Sequence, residues 1–187
     1  VSLPEYIYSG HWSIDENGTI SVPMITDWHN GDYGQRAAYS LGAFIEYYRY
    51  TGDAAALAHI TLYADALLEL ALTPDDHPWP RFPVSVPIEG KPYGQADPSG
   101  FMQLDIVGEI GVWMIRAAQI MGNERWMEAA RHWGDLLAER RLREPGLNPW
   151  PRYANPEEVQ WEDRATGGVV YILEFLDELL RTGYTGK

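Results

Sequence analysis

One short motif that the chain uses twice constrains its fold more than any other feature. Trp-Pro-Arg occurs within HPWPRFP (77–83) and again within NPWPRYANP (148–156), with the tryptophans at Trp79 and Trp150. Tryptophan and proline are both uncommon residues, so three consecutive identities indicate a repeat rather than chance. The motif therefore indicates an internal repeat.

The correspondence extends upstream of the motif. TGDAAALAHITLYADALL aligns with MGNERWMEAARHWGDLL, so that Gly52 and Gly122 lie 70 residues apart, as do Asp65 and Asp135. The two tryptophans of the motif lie 71 residues apart, which implies one inserted residue. A period of this length holds two helices and a long loop, and it predicts α-hairpin repeats.

Apolar residues recur at helical spacing in five segments. They predict helices at about 35–50, directly after Asp53, and at about 101–121, 124–141 and 167–181. The third and fifth are apolar nearly all round, as buried helices are, whereas the fourth carries Glu, Arg and His on one face. Gly52-Asp53 and Gly122-Asn123 each supply a helix stop followed by an N-cap. We therefore expect odd-numbered helices inside and even-numbered helices outside.

This alternation resembles the (α/α) toroids of six-hairpin glycosidases and polysaccharide lyases, over roughly residues 34–187. The resemblance lies in the pattern, because no catalytic signature of such a family matches residue by residue. It implies an all-α fold of α-hairpin repeats that form part of an (α/α) toroid, with long loops on one rim. Residues 1–34 would be a loop segment of that rim, and residues 35–187 the hairpin domain.

A closed toroid of this kind needs more hairpins than the two and a half that the repeat supplies here. We expect the missing hairpins to come from a longer chain or from self-association with another copy. The sequence begins at Val1 rather than at methionine, so we expect a processed or trimmed start.

Composition excludes several classes of partner. The formal net charge of −13 argues against nucleic acid and against an anionic membrane surface, both of which attract clustered Lys and Arg. No cysteine is present, so disulfides and thiolate metal sites are excluded, but the compartment stays open. Apolar residues make up 45% of the chain, which is enough to form a substantial core.

The long segments between hairpins are expected on the rim opposite the glycine turns, where function usually lies. Aromatic rings there offer flat faces for sugar rings, and arginines there can pair with carboxylates. The candidate substrate-binding residues are Trp28, Tyr33, Trp79, Arg81, Tyr93, Trp150, Arg152, Tyr153 and Trp161. The alternative for the repeated motif is structural: each Trp caps the core and each Arg binds loop carbonyls.

Carboxylates and one histidine are the candidates for proton transfer. Asp27 and His29 lie in DWHNGDYG, where His29 could be an oriented acid or base, although Asn-Gly is also a strong turn signal. Glu162 lies in WEDR, which is a second carboxylate pair or an N-cap with a salt bridge. Asp105 and Glu109, four residues apart on the third helix, share one face.

The Asp105–Glu109 pair has three interpretations. It can act as a general acid with its partner, one of the two carboxyl groups bearing a proton. It can bind a hard cation such as calcium, although no cofactor is required by the sequence. In the structural alternative Asp105 complements the helix dipole and Glu109 meets an arginine of a neighbouring element.

Together these features predict a carbohydrate-active enzyme that cleaves glycosidic bonds in a polysaccharide or oligosaccharide. Hydrolysis by two carboxyl groups is slightly favoured. The alternatives are β-elimination from a uronate, in which His or Tyr is the base and Arg neutralises the carboxylate, and a non-catalytic glycan-binding module. A polysaccharide substrate would favour a secreted or periplasmic location.

Overall fold

The computed structural model describes residues 33–84, 102–154 and 167–186, with two short strands before them. The helices are α1 (Tyr33–Thr51), α2 (Ala55–Leu70), α3 (Leu104–Met121), α4 (Glu124–Glu139) and α5 (Val169–Arg181). The strands are β1 (Ser13–Ile14), β2 (Ile20–Ser21), β3 (Met102–Gln103) and β4 (Tyr153–Ala154). Two antiparallel pairs form, β1 with β2 and β3 with β4. The expected all-α class is confirmed.

Glycine turns join the helices of each hairpin, as the sequence predicts. Gly52 has a φ of +69° and Gly122 a φ of +63°, a left-handed conformation that lets the chain leave a helix without steric strain. The Asn123 side chain then accepts a hydrogen bond from the backbone N–H of Trp126 and caps α4. At the first hairpin, Asp53 Oδ1 accepts from the N–H of Ala55 at the start of α2.

The helices form two layers. Helix α3 packs between α1 and α5, while α2 packs mainly on α1 and α4 mainly on α3. The inner row is therefore α1, α3 and α5, and α2 and α4 lie outside it. Glycines permit the close approach within the row, because a Cβ at Gly42 would lie 2.6 Å from the Trp113 ring, and one at Gly111 would lie 2.4 Å from the Phe175 ring.

One core runs through both layers. Its largest fully buried side chains include Trp126 and Trp133 from α4, with Phe44, Phe82 and Phe175. The outer helices also contact each other through a polar bond, since Trp126 Nε1 donates to Asp65 Oδ1 at 2.7 Å. None of the described helices is both long enough and apolar enough to cross a bilayer.

Two helix predictions need correction. Helix α3 begins at Leu104 rather than near residue 101, because Met102 and Gln103 pair with β4 instead. Helix α5 is not buried all round: Val170, Leu173 and Leu180 are 56%, 52% and 58% exposed. It packs on α3 and α4 through one face, and no other described helix covers the opposite face.

Candidate functional site

The first Trp loop (residues 71–84) follows α2 and is built around Trp79. This ring is 5% exposed, lies 4.8 Å from the Phe82 ring, and has the Arg140 guanidinium 5.2 Å above it. The Thr73 hydroxyl donates to the Trp79 carbonyl and accepts from the Phe82 N–H. Trp79 therefore caps the core, and its ring is not available to stack on a sugar, contrary to one of the two expectations.

The second Trp loop (residues 140–154) follows α4 and buries Trp150 in the same way. The side chain is 4% exposed, and its Nε1 donates to the carbonyl of Leu137 at 2.8 Å, near the end of α4. Burying the apolar surface of this indole against the core stabilises the fold more than exposing it to water would. The substrate-binding interpretation of Trp150 is corrected accordingly.

The two arginines of the motif face different surroundings. Arg81 has a φ of +50°, its carbonyl accepts from Trp133 Nε1 at 2.9 Å, and its exposed guanidinium lies 3.8 Å from Asp75. Arg152 instead lies with Nε 3.4 Å from Asp105 Oδ2, and its carbonyl accepts from the N–H of Leu104. The second Trp loop thus places the guanidinium of Arg152 beside the first turn of α3.

Asp105 is the better shielded carboxyl group of the site. Its side chain is largely buried, and Oδ1 accepts from the N–H of Ile106 at 3.0 Å. Burial raises the pKa of Asp105 above its usual value, while the Arg152 cation and the backbone hydrogen bonds oppose that rise. The net effect is a raised pKa of Asp105, and the Arg152 cation limits the rise.

Glu109 lies one helical turn further along the same face. Burial, the charge of Asp105 and the charge of Glu174 on α5 together raise the pKa of Glu109 to about 7. Its Oε2 is buried and has no hydrogen-bond partner among the described residues. A carboxyl group with a pKa near 7 is about half protonated at neutral pH and is able to donate its proton. No arginine of the described residues forms an ion pair with Glu109, and Arg152 contacts Asp105 instead.

The start of α5 fixes the position of Asp105. A Cβ added at Gly168 would lie 2.6 Å from Asp105 Oδ2, so the two elements touch without room for a side chain. Gln103, which precedes α3, is buried, and its Oε1 has no partner among the described residues. The site therefore offers a proton donor, an ion-paired carboxylate and an unused amide oxygen near one end of the inner row.

Sequence reasoning missed three contributors to this face. Between residues 104 and 118, the side chains of α3 that are not buried are those of Asp105, Glu109, Trp113 and Arg116, and these four define the open stripe of α3. Glu174 contributes from α5. The signal was present, because non-aliphatic residues recur at spacings of four, four and three on an otherwise apolar helix.

Several predicted site residues lie outside the described residues: Asp27, Trp28, His29, Tyr93, Trp161 and Glu162. For Tyr33 and Tyr153 the structure describes the backbone, in α1 and β4, but not the side chain.

Within the described ranges, no three His, Asp or Glu side chains are gathered as ligands for a metal ion. Comparison with family models, curated proteins and solved structures found no match.

Proposed function

We propose that this chain belongs to a glycoside hydrolase that cleaves glycosidic bonds in a polysaccharide. The observation that carries the proposal is that two carboxyl groups on one helix face have different surroundings. Glu109 has a pKa raised to about 7, whereas Asp105 is paired with Arg152. Glycoside hydrolysis needs one protonated and one ionised carboxyl group on either side of the scissile bond.

In the proposed reaction, Glu109 donates its proton to the leaving glycosidic oxygen. Asp105 remains ionised and either activates a water molecule or attacks the sugar carbon that loses the leaving group. Side chains at positions i and i+4 of a helix have Cβ atoms about 5–6 Å apart, so a single sugar unit can reach both groups. The partial burial of both groups strengthens their electrostatic effect on a developing charge.

We also propose that the helices form part of an (α/α) toroid. Three helices lie side by side in an inner row, and each outer helix packs mainly on the inner helix that precedes it. This order is what hairpin repeats around a ring require. The open stripe of α3 would then line the interior of the ring.

The test is a panel of neutral and uronate-containing polysaccharides, assayed in parallel for new reducing ends and for near-ultraviolet absorbance. We expect new reducing ends without absorbance, lost in Glu109→Gln and retained in Glu128→Gln, a matched change at an exposed position of α4. Rising absorbance would establish elimination instead. Silence in both assays, with glycan binding retained, would establish a binding module.

A further inference from the structure

A cavity lies at the end of the inner row opposite Asp105. It encloses about 440 Å³ where the C-terminal halves of α1, α3 and α5 meet. Its polar lining consists of Arg49, Arg116, Gln119, Glu178 and Arg181, with two isoleucines completing the wall. Three guanidinium groups and one carboxylate therefore line one space, and two carboxylates outside the lining, Glu46 and Asp177, pair with Arg49 and Arg181.

Arg116 is held in a fixed orientation. Its Nε donates to Glu178 Oε1 at 3.0 Å, and its guanidinium lies 4.9 Å from the centre of the Trp113 ring. The Trp113 ring and the Glu178 carboxylate fix the plane of the Arg116 guanidinium. Its two terminal nitrogens have no hydrogen-bond partner among the described residues. An arginine held by its Nε presents both terminal N–H₂ groups to a ligand.

Arg181 repeats this arrangement on α5. Its Nε donates to Asp177 Oδ2 at 2.8 Å, and within the described part of the chain its terminal nitrogens make no further bond. Arg49 completes the set from α1, with one terminal nitrogen on Glu46.

Helix-dipole compensation explains only part of this cluster. Arg49 and Arg181 lie in the last turns of α1 and α5, where a cation is stabilised by the unpaired carbonyl groups. Arg116 does not, since α3 continues to Met121. The ion pair with Glu178 orients Arg116 but leaves its terminal nitrogens without a hydrogen-bond partner among the described residues.

We propose that this cavity binds an oxyanion, through the terminal nitrogens of Arg116 and Arg181. Planar guanidinium groups match the oxygen spacing of carboxylate, sulfate and phosphate, and such charge-assisted bonds are roughly twice as strong as neutral ones. The anion is either a free inorganic ion or the acidic group of a sugar. Arg116 lies about 16 Å along α3 from Asp105, at 1.5 Å per residue, so the two sites are separate.

The experiment titrates the intact chain with inorganic sulfate and, separately, with glucuronate at constant ionic strength, by calorimetry and by the rise in Tm. Arg181→Gln is the first variant, because that side chain is 73% exposed and its loss does not threaten the fold. We expect sulfate binding to weaken about tenfold, as the loss of one charged hydrogen bond implies. Arg116→Lys should weaken it as well, because lysine lacks the planar fork.

Arg143→Gln is the matched control, since it removes the same charge from an exposed position in the second Trp loop. It should bind sulfate as the unmodified chain does. Tighter binding of glucuronate than of sulfate would identify a sugar acid as the ligand, and the reverse a free oxyanion. The proposal is overturned if no binding saturates, or if Arg181→Gln and Arg143→Gln bind sulfate alike. Glu109→Gln should leave anion binding unchanged, which separates this test from that of hydrolysis.

Discussion

The first and second Trp loops carry the same tripeptide and differ in what it does. In both loops the tryptophan is buried against the core at the end of an outer helix. In the first loop Arg81 extends to solvent beside Asp75, whereas in the second Arg152 pairs with Asp105 on α3. Both tryptophans cover the core, whereas Arg152 pairs with a carboxylate of an inner helix and Arg81 does not.

The difference arises from the inner helices rather than from the loops. The residue 70 positions before Asp105 is Gln35, and the residue 70 positions before Glu109 is Tyr39. Neither bears a carboxyl group, so the first hairpin presents no anion equivalent to Asp105. The repeat therefore preserves the buried tryptophan of each hairpin. The two carboxyl groups, in contrast, occur at single positions of one inner helix, Asp105 and Glu109.

The largest effects should come from the shared part of the motif. Trp79→Ala and Trp150→Ala each remove a buried ring and should lower the free energy of unfolding by about 3–5 kcal/mol, as judged by urea denaturation. The two values should be similar, because both rings cap the core. A variant that kept its stability but lost affinity for glycan would break the equivalence of the loops and restore a binding role for that tryptophan.

The next effect concerns the contact between Asp105 of the second hairpin and Gly168 at the start of α5. Gly168→Ala introduces a Cβ 2.6 Å from Asp105 Oδ2, which must displace either the carboxylate or α5. We expect a loss of about 1–3 kcal/mol in the free energy of unfolding, as for other overpacked sites. Gly167→Ala is the control, since a Cβ there meets no atom of the described residues within 4 Å. Equal stability of the two variants would show that Asp105 is free to move.

The sequence predicted the features that depend on local residues and missed those that depend on tertiary contacts. The glycine turns and most helix bounds were predictable, because they depend on local periodicity and capping. The exposed face of α5 was not, since exposure depends on which elements pack nearby. The roles of Trp79 and Trp150 were left between two alternatives, because an aromatic side chain in a loop can serve the core or a ligand. The Arg152–Asp105 pair could not be read from residues that lie 47 positions apart.

Arginine substitutions compare the two loops directly. Arg152→Gln leaves the largely buried Asp105 without its cation and should cost about 1–2 kcal/mol. Arg81→Gln removes an exposed, distant ion pair and should cost less than about 0.5 kcal/mol. The free energy of unfolding at neutral pH measures both. The cycle of Arg152→Gln with Asp105→Asn isolates the pair, and a coupling energy near zero would contradict the assigned contact.

The last comparison concerns Glu109, whose counterpart in the first hairpin is a tyrosine. The pKa of Glu109 is raised in the folded state from 4.5 to about 7, so the folded chain binds more protons than the unfolded chain between these values. Its contribution to stability is fully present below pH 4.5, declines as the pH rises, and is lost above about pH 7. Glu109→Gln removes this dependence.

Urea denaturation of both proteins at pH 5 and pH 8 measures the change. Relative to the unmodified chain, Glu109→Gln should be more stable at pH 8 than at pH 5 by about 1 kcal/mol, because the partial exposure of Glu109 screens part of the shift. Glu128→Gln, at an exposed position on α4, measures the general effect of one fewer negative charge on a chain of net charge −13.

If the difference in free energy of unfolding between Glu109→Gln and the unmodified chain were the same at both pH values, Glu109 would be ionised at neutral pH. It would then not serve as the proton donor, and the second hairpin would lose the feature that separates it chemically from the first.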